Sequence, residues 1–202
     1  MSKVICVERQ FGSGGHTIAK KVAEKLEYSY YDKKLLEEAV IRSGLSSEIM
    51  EKAEERATPF MYEAYFEGNL VECYGKSAND IMFEAEKQLI LEAADRSDCV
   101  IVGRCASYIL GMETGHQILH IFIAAPMEYR IRRVMERDGL DEKKAAARIR
   151  KMDKARKAYC EYYTGNDWGK PSDYDMILNP VRLGEEQAVS VIADTMGRIK
   201  TR

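Results

Sequence analysis

Five short runs of apolar or aromatic residues recur along the chain, and longer amphipathic stretches separate them. The runs span residues 3–8, 28–31, 99–103, 118–123 and 175–178. Continuous apolar runs of this length are typical of strands that are buried on both faces of a parallel sheet. Because strands and helices alternate, we predict an α/β fold with a five-stranded parallel sheet, right-handed crossovers and helices on both faces.

The amphipathic stretches predict the helices. After His16, apolar residues recur at helical spacing, which places one face of the helix on the sheet. The same periodicity predicts helices that follow Ser77, span Met127–Asp138, follow Asp141 as the N-cap and close the chain after Gly184. Within Met127–Asp138 we expect three arginines to share a face apart from the core: Arg130, Arg133 and Arg137.

The region between the second and third runs is less regular. Asp32 can cap a helix over Lys33–Arg42, and a further helix is predicted over Ile49–Arg56. The aromatic segment Phe60–Gly75 has no clear period and is long for a plain connection. It predicts either a binding loop, lid or dimer contact, or a helix that packs on a neighbour.

A cluster of glycines joins the first strand to the first helix. Gly12, Gly14 and Gly15 surround Ser13, and Thr17 follows one residue after His16. Glycines allow the backbone N–H groups of such a turn to approach a ligand closely, and the start of the helix adds unpaired donors and a positive dipole end. The stretch therefore predicts a phosphate cradle. A full Walker A motif would carry a lysine directly after its last glycine, and this turn has none.

Charged residues also come directly after the second and third predicted strands. Arg104 comes directly after the third strand, where open α/β sheets bind ligands, so it is either an anion contact or part of a structural ion pair. Asp32 follows the second strand and either points toward the glycine turn or caps a helix. Arg148, Lys154 and Arg156 belong to a late basic stretch with few acidic residues, which is either a solvated face or the neighbour of an anionic ligand.

Composition narrows the class of protein. The chain has 202 residues, 46% of them hydrophobic and 32% charged, with a net charge of −2, which predicts one soluble globular domain. We find no basic excess for nucleic-acid binding, no signal peptide and no membrane span, and therefore expect a cytoplasmic protein. The five cysteines are scattered and never in C-x-x-C spacing, which predicts mostly small buried side chains.

Five stretches of the sequence together resemble the P-loop nucleoside monophosphate kinases, and most closely the cytidylate kinase-like family. They are Arg9–Gly15, Tyr31–Lys33, Val102–Arg104, Ala125–Ile131 and Tyr162–Gly165. The resemblance implies a three-layer sandwich that uses ATP and Mg²⁺, with a nucleotide and a small phosphate acceptor as substrates. It also implies one domain over 1–202, divided into a core (1–45, 77–140 and 172–202), a substrate-binding insertion at about 46–76 and a lid at about 141–171.

The resemblance also assigns roles to residues. It implies a phosphate-binding loop made of Gly12, Ser13, Gly14, Gly15, His16 and Thr17, with the Thr17 hydroxyl associated with magnesium. Arg104 matches an arginine that contacts substrate, Asp32 lies where such kinases keep a carboxylate near the acceptor, and Arg148 and Arg156 fall in the lid.

Two departures from the family pattern leave two functions open. Gly15 stands where the lysine is expected, and the strand Cys99–Gly103 lacks an acidic residue for magnesium. We hypothesise that Arg9 restores the missing positive charge from the other side of the loop. The first function is then an ATP-dependent kinase of nucleoside monophosphates or similar acceptors. The second is a nucleotide-binding regulatory protein that has lost efficient transfer. A homodimer formed through the segment Phe60–Tyr74 is compatible with both.

Overall fold

The computed structural model of the protein describes residues 2–32, 78–111 and 115–199. The predicted helices over Lys33–Arg42 and Ile49–Arg56, the aromatic segment Phe60–Gly75 and most of the insertion predicted at 46–76 lie outside these residues.

Five parallel strands form one sheet, as the apolar runs predict. They are β1 (Lys3–Arg9), β2 (Ser29–Tyr31), β3 (Cys99–Val102), β4 (Gln117–Ile123) and β5 (Met176–Leu178), in the spatial order β2-β3-β1-β4-β5. The central strand β1 pairs with β3 on one side and with β4 on the other, so that Cys6 lies between Ile101 and His120. The carboxyl ends of β1, β3 and β4 therefore meet at one edge of the sheet.

Seven helices lie in the described part of the chain. They are α1 (Gly15–Leu26), α2 (Ala78–Arg96), α3 (Ala106–Gly111), α4 (Met127–Asp138), α5 (Glu142–Thr164), α6 (Pro180–Leu183) and α7 (Glu185–Met196), and a single 3-10 turn spans Pro171–Asp173. Asp141 caps α5 as predicted, since its side chain accepts a hydrogen bond from the backbone N of Lys144 at 2.8 Å. None of the helices described is both long enough and apolar enough to cross a membrane.

The side chains of β1 alternate between two cores, which makes the fold a three-layer sandwich. Ile5 and Val7 pack with α1 and α7 on one face of the sheet. Val4 and Cys6 pack with α2 and α3 on the other face. This confirms the predicted helices on both faces. Within the described residues, Cys6, Cys99 and Cys105 are buried and Cys160 is half-buried, in agreement with the expectation for most of the cysteines.

The two cores predict a contrast between buried and edge isoleucines. Ile101 in β3 is fully buried, whereas Ile177 in the edge strand β5 is 42% exposed. Ile101→Ala removes buried surface and leaves a cavity, so we expect it to lower the free energy of unfolding by about 2–5 kcal/mol. Ile177→Ala should lower it by less than about 1 kcal/mol. Urea denaturation of both variants measures the contrast, and equal losses would contradict the assignment of the core.

Candidate functional site

The glycine loop runs from the end of β1 to the start of α1 at the carboxyl edge of the sheet. Gly12 and Gly14 have φ angles of 79° and 88°, a region that other residues rarely adopt. A Cβ on Gly12 would lie 3.0 Å from Cγ2 of Val134, so α4 also leaves no room for a side chain there. The first turn of α1 carries no acidic residue, and its N-cap is Gly14, which has no side chain to cap the backbone N–H groups. The backbone of the loop and of α1 thus forms a cradle suited to an anion.

The Arg9 side chain occupies the space that a larger residue at position 15 would need. A Cβ on Gly15 would lie 2.6 Å from Cβ of Arg9, far inside contact distance. A Cβ on Gly103, at the end of β3, would overlap Nη1 of Arg9. Arg9 is only 13% exposed and runs between the glycine loop and the end of β3. The two glycines therefore make the position of the guanidinium possible, and the residue that replaces the expected lysine is one of them.

Asp32 links Arg9 to the first turn of α1. Its Oδ1 lies 3.9 Å from Nη2 of Arg9, and its Oδ2 lies 2.8 Å from Nε2 of His16. Burial alone would raise the pKa of Asp32. The hydrogen bond from His16 and the charges of Arg9 and Arg104 outweigh burial and hold that pKa below its usual value. Asp32 therefore points toward the glycine turn, which was one of the two predicted possibilities.

Arg104 is positioned by an unusual turn after β3. Gly103, Arg104 and Cys105 have consecutive φ angles of 78°, 57° and 55°. Two neighbouring residues other than glycine in the left-handed region mark local backbone strain, which persists only where surrounding contacts impose it. Here Nε of Arg104 lies 3.4 Å from Oε1 of Glu86, and its guanidinium lies over the Tyr159 ring at 5.5 Å. Arg104 therefore does take part in an ion pair, which was one of the two interpretations of the sequence.

Glu86 contacts both Arg104 and Tyr159 and thereby links this buried group of side chains. It is 1% exposed, and its Oε2 accepts a hydrogen bond from the Tyr159 hydroxyl at 2.5 Å. Burial and the neighbouring Glu86 charge raise the pKa of Tyr159 well above its usual value, so the hydroxyl stays a donor. The sequence interpretation did not identify Glu86, because nothing in a single helical repeat indicates that one carboxylate is turned into the core.

Arg156 joins Arg9 and Arg104 at a small cavity. These three arginines line it together with Glu8, Cys105, Tyr159 and Cys160. Nη1 of Arg156 also donates a hydrogen bond to the backbone oxygen of Arg9 at 3.0 Å. The structure thus brings together three of the five predicted catalytic residues, and Asp32 contacts one of them.

Arg148 is not part of this cavity. Its Nη1 lies 3.3 Å from Oδ2 of Asp138, and its guanidinium lies 5.9 Å from the centre of the Phe11 ring. Arg137 and Arg156 also approach that ring, at 4.9 and 5.5 Å. Phe11 is therefore surrounded by cations contributed by α4 and α5.

Asp153 fastens α5 to the glycine loop. Its Oδ1 accepts a hydrogen bond from the backbone N of Phe11 at 2.7 Å, and its Oδ2 accepts one from Nη1 of Arg130 at 2.5 Å. Arg130 is 7% exposed, so the prediction that it lies on a polar face with Arg133 and Arg137 is wrong. The charge of Asp153 compensates the burial of Arg130. The sequence did contain a signal that Asp153 has a special partner, because it is the only acidic residue between Glu142 and Glu161.

Thr17 contacts an arginine. Its Oγ1 accepts a hydrogen bond from Nη2 of Arg133 at 3.1 Å, and Nη1 of Arg133 pairs with Glu185 at 2.7 Å. Among residues 2–32, 78–111 and 115–199, no group of three or more His, Cys, Asp or Glu side chains could hold a metal ion. The described His, Cys, Asp and Glu side chains thus form no three-ligand metal site, and Thr17 would have to exchange Arg133 for an ion.

A larger cavity of about 370 Å³ adjoins the site. It lies beside α3 and β4 and shares Glu8, Cys105 and Cys160 with the small arginine-lined cavity. Its other lining residues are Ser107, Tyr108, Gly111, His120, Thr164, Asn166, Asp167, Ser172, Asp173, Tyr174 and Asp175. The cavity is thus rich in carboxylates, and its described lining includes neither lysine nor arginine.

The buried ion pair predicts a large loss of stability when one partner is removed. Glu86→Ala leaves Arg104 without its carboxylate in a dry environment, so we expect the free energy of unfolding to fall by about 3–5 kcal/mol. Glu84→Ala, at an exposed position of the same helix, is the matched control and should change it by no more than about 0.5 kcal/mol. Urea denaturation measures both, and similar effects of the two variants would show that the Glu86–Arg104 ion pair does not stabilise the fold.

Asp32 predicts a dependence of stability on pH. Since its pKa is lowered in the folded protein, its contribution is fully present above its unfolded pKa of about 3.9 and is lost as pH falls through the folded pKa. The difference in unfolding free energy between wild type and Asp32→Asn should shrink between pH 5 and pH 2. Urea titrations across that range provide the measurement. A difference that stays constant or grows toward low pH would contradict the ionised Asp32.

Comparisons with known proteins identify the family of the chain. The family model described as "Cytidylate kinase-like family" matches residues 4–181. A cytidylate kinase from Methanopyrus kandleri is 28% identical over 200 residues, which are 95% of this chain and 92% of that protein. The crystal structure of an uncharacterized protein from Eubacterium ventriosum superposes with a TM-score of 0.72 at 28% identity, covering 97% of this chain and 99% of the other.

A shikimate kinase from Bacteroides thetaiotaomicron is similar in fold alone. It has a TM-score of 0.53 at 16% identity and covers 96% of this chain and 98% of its own. The family match extends from β1 to the first residues of α6, so it includes the glycine loop, the turn that carries Arg104 and all of α5. The chain belongs to the cytidylate kinase-like family.

Proposed function

We propose that this protein is a nucleotide-binding phosphotransferase that moves the γ-phosphoryl group of ATP to a nucleoside monophosphate or a similar small acceptor. The observation that carries the proposal is the Arg9 side chain, whose aliphatic stem packs against Gly15 of the glycine loop and whose guanidinium lies at Gly103. A loop of this kind without a cation would bind a triphosphate poorly. With Arg9, the cradle has both backbone donors and a fixed positive charge.

The two other arginines of the small cavity support transfer rather than binding alone. Phosphoryl transfer brings two anionic groups together, so catalysis depends on positioning and on neutralising charge. Arg104 and Arg156 line the same cavity as Arg9, from β3 and α5 respectively. We propose that these three side chains neutralise the transferring group, and that the larger neighbouring cavity accommodates part of a substrate.

Magnesium enters this proposal as part of the nucleotide substrate. Mg²⁺ commonly keeps several water ligands and is bound through substrate phosphates. This fits a site whose described side chains form no metal cluster. The predicted contact between Thr17 and magnesium stays a prediction that requires Arg133 to release the Thr17 hydroxyl.

The domain division also stays a proposal. We propose that residues 1–45, 77–140 and 172–202 form the core, that about 46–76 bind the acceptor and that about 141–171 form the lid. In the described arrangement, Asp153 and Arg156 tie α5 to the glycine loop, which corresponds to a lid helix in contact with the core. We further propose a cytoplasmic location and a homodimer.

The regulatory alternative is less well supported. It rests on the missing lysine and on the missing acidic residue of the strand Cys99–Gly103. The Arg9 side chain, which packs against Gly15, supports a replacement for the lysine. The three arginines around one small cavity also support transfer.

A charge swap tests the proposal. Arg9→Ala should lower ATP-dependent turnover by about 10²–10³-fold, because a fixed cation is lost from the transition state. Gly15→Lys alone should be inactive, since its Cβ would collide with Arg9. The double variant Arg9→Gly/Gly15→Lys removes the contact with Arg9, leaves Cβ of Ile123 at 3.2 Å as the closest neighbour of the new Cβ, and returns a cation. It should therefore recover much of the lost turnover. ADP formation across a panel of nucleoside monophosphates and small alcohols, with ATP affinity by calorimetry, provides the readout.

Arg96→Ala is the control for the swap, since Arg96 is exposed at the end of α2 that leads into the amino end of β3. It should leave both turnover and affinity unchanged. ATP binding without ADP formation across the whole panel would favour the regulatory alternative. Unchanged affinity and turnover in Arg9→Ala would overturn the role of Arg9.

A further inference from the structure

A histidine and a carboxylate form a hydrogen-bonded pair beside the glycine loop, and the proposed function does not use it. Nε2 of His16 lies 2.8 Å from Oδ2 of Asp32. His16 belongs to the first turn of α1 and its side chain is 61% exposed, whereas the Asp32 side chain is 21% exposed. The pair thus consists of a carboxylate held in place by the protein and an imidazole that faces solvent next to the anion cradle.

Neighbouring charges keep the Asp32 carboxylate ionised, so that it can orient the His16 ring. Arg9 of β1 approaches its other oxygen at 3.9 Å, and the Arg104 charge also favours the ionised carboxylate. Tyr30 of β2 is the other titratable side chain described at the pair, with its ring edge-on to the imidazole at a centroid distance of 6.0 Å. An ionised Asp32 accepts the Nε2 proton and leaves Nδ1 as the ring nitrogen that can accept another.

We propose that His16, oriented by Asp32, accepts the proton of an acceptor hydroxyl, so that the acceptor is an alcohol rather than a phosphate monoester. This inference rests on the proposed phosphotransferase function and specifies the substrate class of the same site. His16 acts as a catalytic base, and Asp32 is its positioning residue.

The chemistry of the two acceptor classes carries the inference. A phosphate monoester is already ionised near neutral pH and needs no base to become a nucleophile. An alcohol must lose its proton as it attacks, and a correctly placed base assists that loss.

The proposed step balances as follows. The acceptor oxygen forms a bond to the γ-phosphorus of ATP, and its proton passes to Nδ1 of His16. The bond between the γ-phosphorus and the β,γ-bridging oxygen breaks, and its electron pair leaves with ADP. His16 then releases the proton to solvent, so the products are ADP, the phosphorylated alcohol and one proton.

Three variants test the inference, with ADP formation and ATP affinity measured for each. His16→Gln should lower kcat by about 10²-fold with unchanged ATP affinity, because a base is lost and the loop is not. His16→Lys should not restore kcat, since a lysine supplies a positive charge but not an imidazole nitrogen that accepts a proton. Asp32→Asn should lower kcat as well. Asp32→Asn should not weaken ATP binding, which separates a positioning role from damage to the loop.

The test can also be made without an added acceptor, so the physiological alcohol need not be known. Water then takes the place of the acceptor hydroxyl, and the slow ATP hydrolysis should fall in His16→Gln. With acceptors present, small alcohols should stimulate ADP formation and nucleoside monophosphates should not.

Several results would overturn the inference. They are rescue by His16→Lys, equal hydrolysis by wild type and His16→Gln, or stimulation by nucleoside monophosphates alone. The last of these would leave the proposed phosphotransferase function standing. Failure of the wild type to bind ATP would instead overturn the proposed function, and this inference with it.

Discussion

The candidate site depends on the packing of one arginine between two glycines. Arg9 leaves the central strand and runs past Gly15 and Gly103, at positions where any Cβ would collide with it. A lysine at position 15 and an arginine at position 9 therefore exclude each other. The absence of the expected lysine leaves the space that the Arg9 side chain fills, and we propose that the replacement cation comes from the preceding strand.

The rest of the site is built around that placement. Arg156 donates to the backbone oxygen of Arg9, and Asp153, three residues earlier on the same helix, accepts from the backbone of Phe11. Spacing of three residues places both side chains on one face of α5, directed at the loop. Asp32 balances the charge of Arg9 from the other side. The loop is thus held by contacts from several elements, which suits a site that must be positioned before substrate arrives.

The sequence predicted the layers of the fold better than the contacts of the site. The strands could be recognised because continuous apolar runs reflect burial on both faces, and the start of α5 because Asp141 is a local cap. The burial of Arg130 was missed although Asp153 is the only acidic residue in its stretch, because the two lie 23 residues apart and only the fold brings them together. The sequence did suggest Arg9 as a replacement for the missing lysine, but the packing of the Arg9 side chain against Gly15 is known only from the structure.

A structure of the protein with a non-hydrolysable ATP analogue and Mg²⁺ tests the central claim most directly. The account predicts that the phosphates lie against the backbone N–H groups of Gly12–Thr17, with a guanidinium nitrogen of Arg9 about 2.7–3.2 Å from a phosphate oxygen. A nucleotide bound elsewhere on the protein, or one bound at the loop with Arg9 turned away from its phosphates, would contradict it.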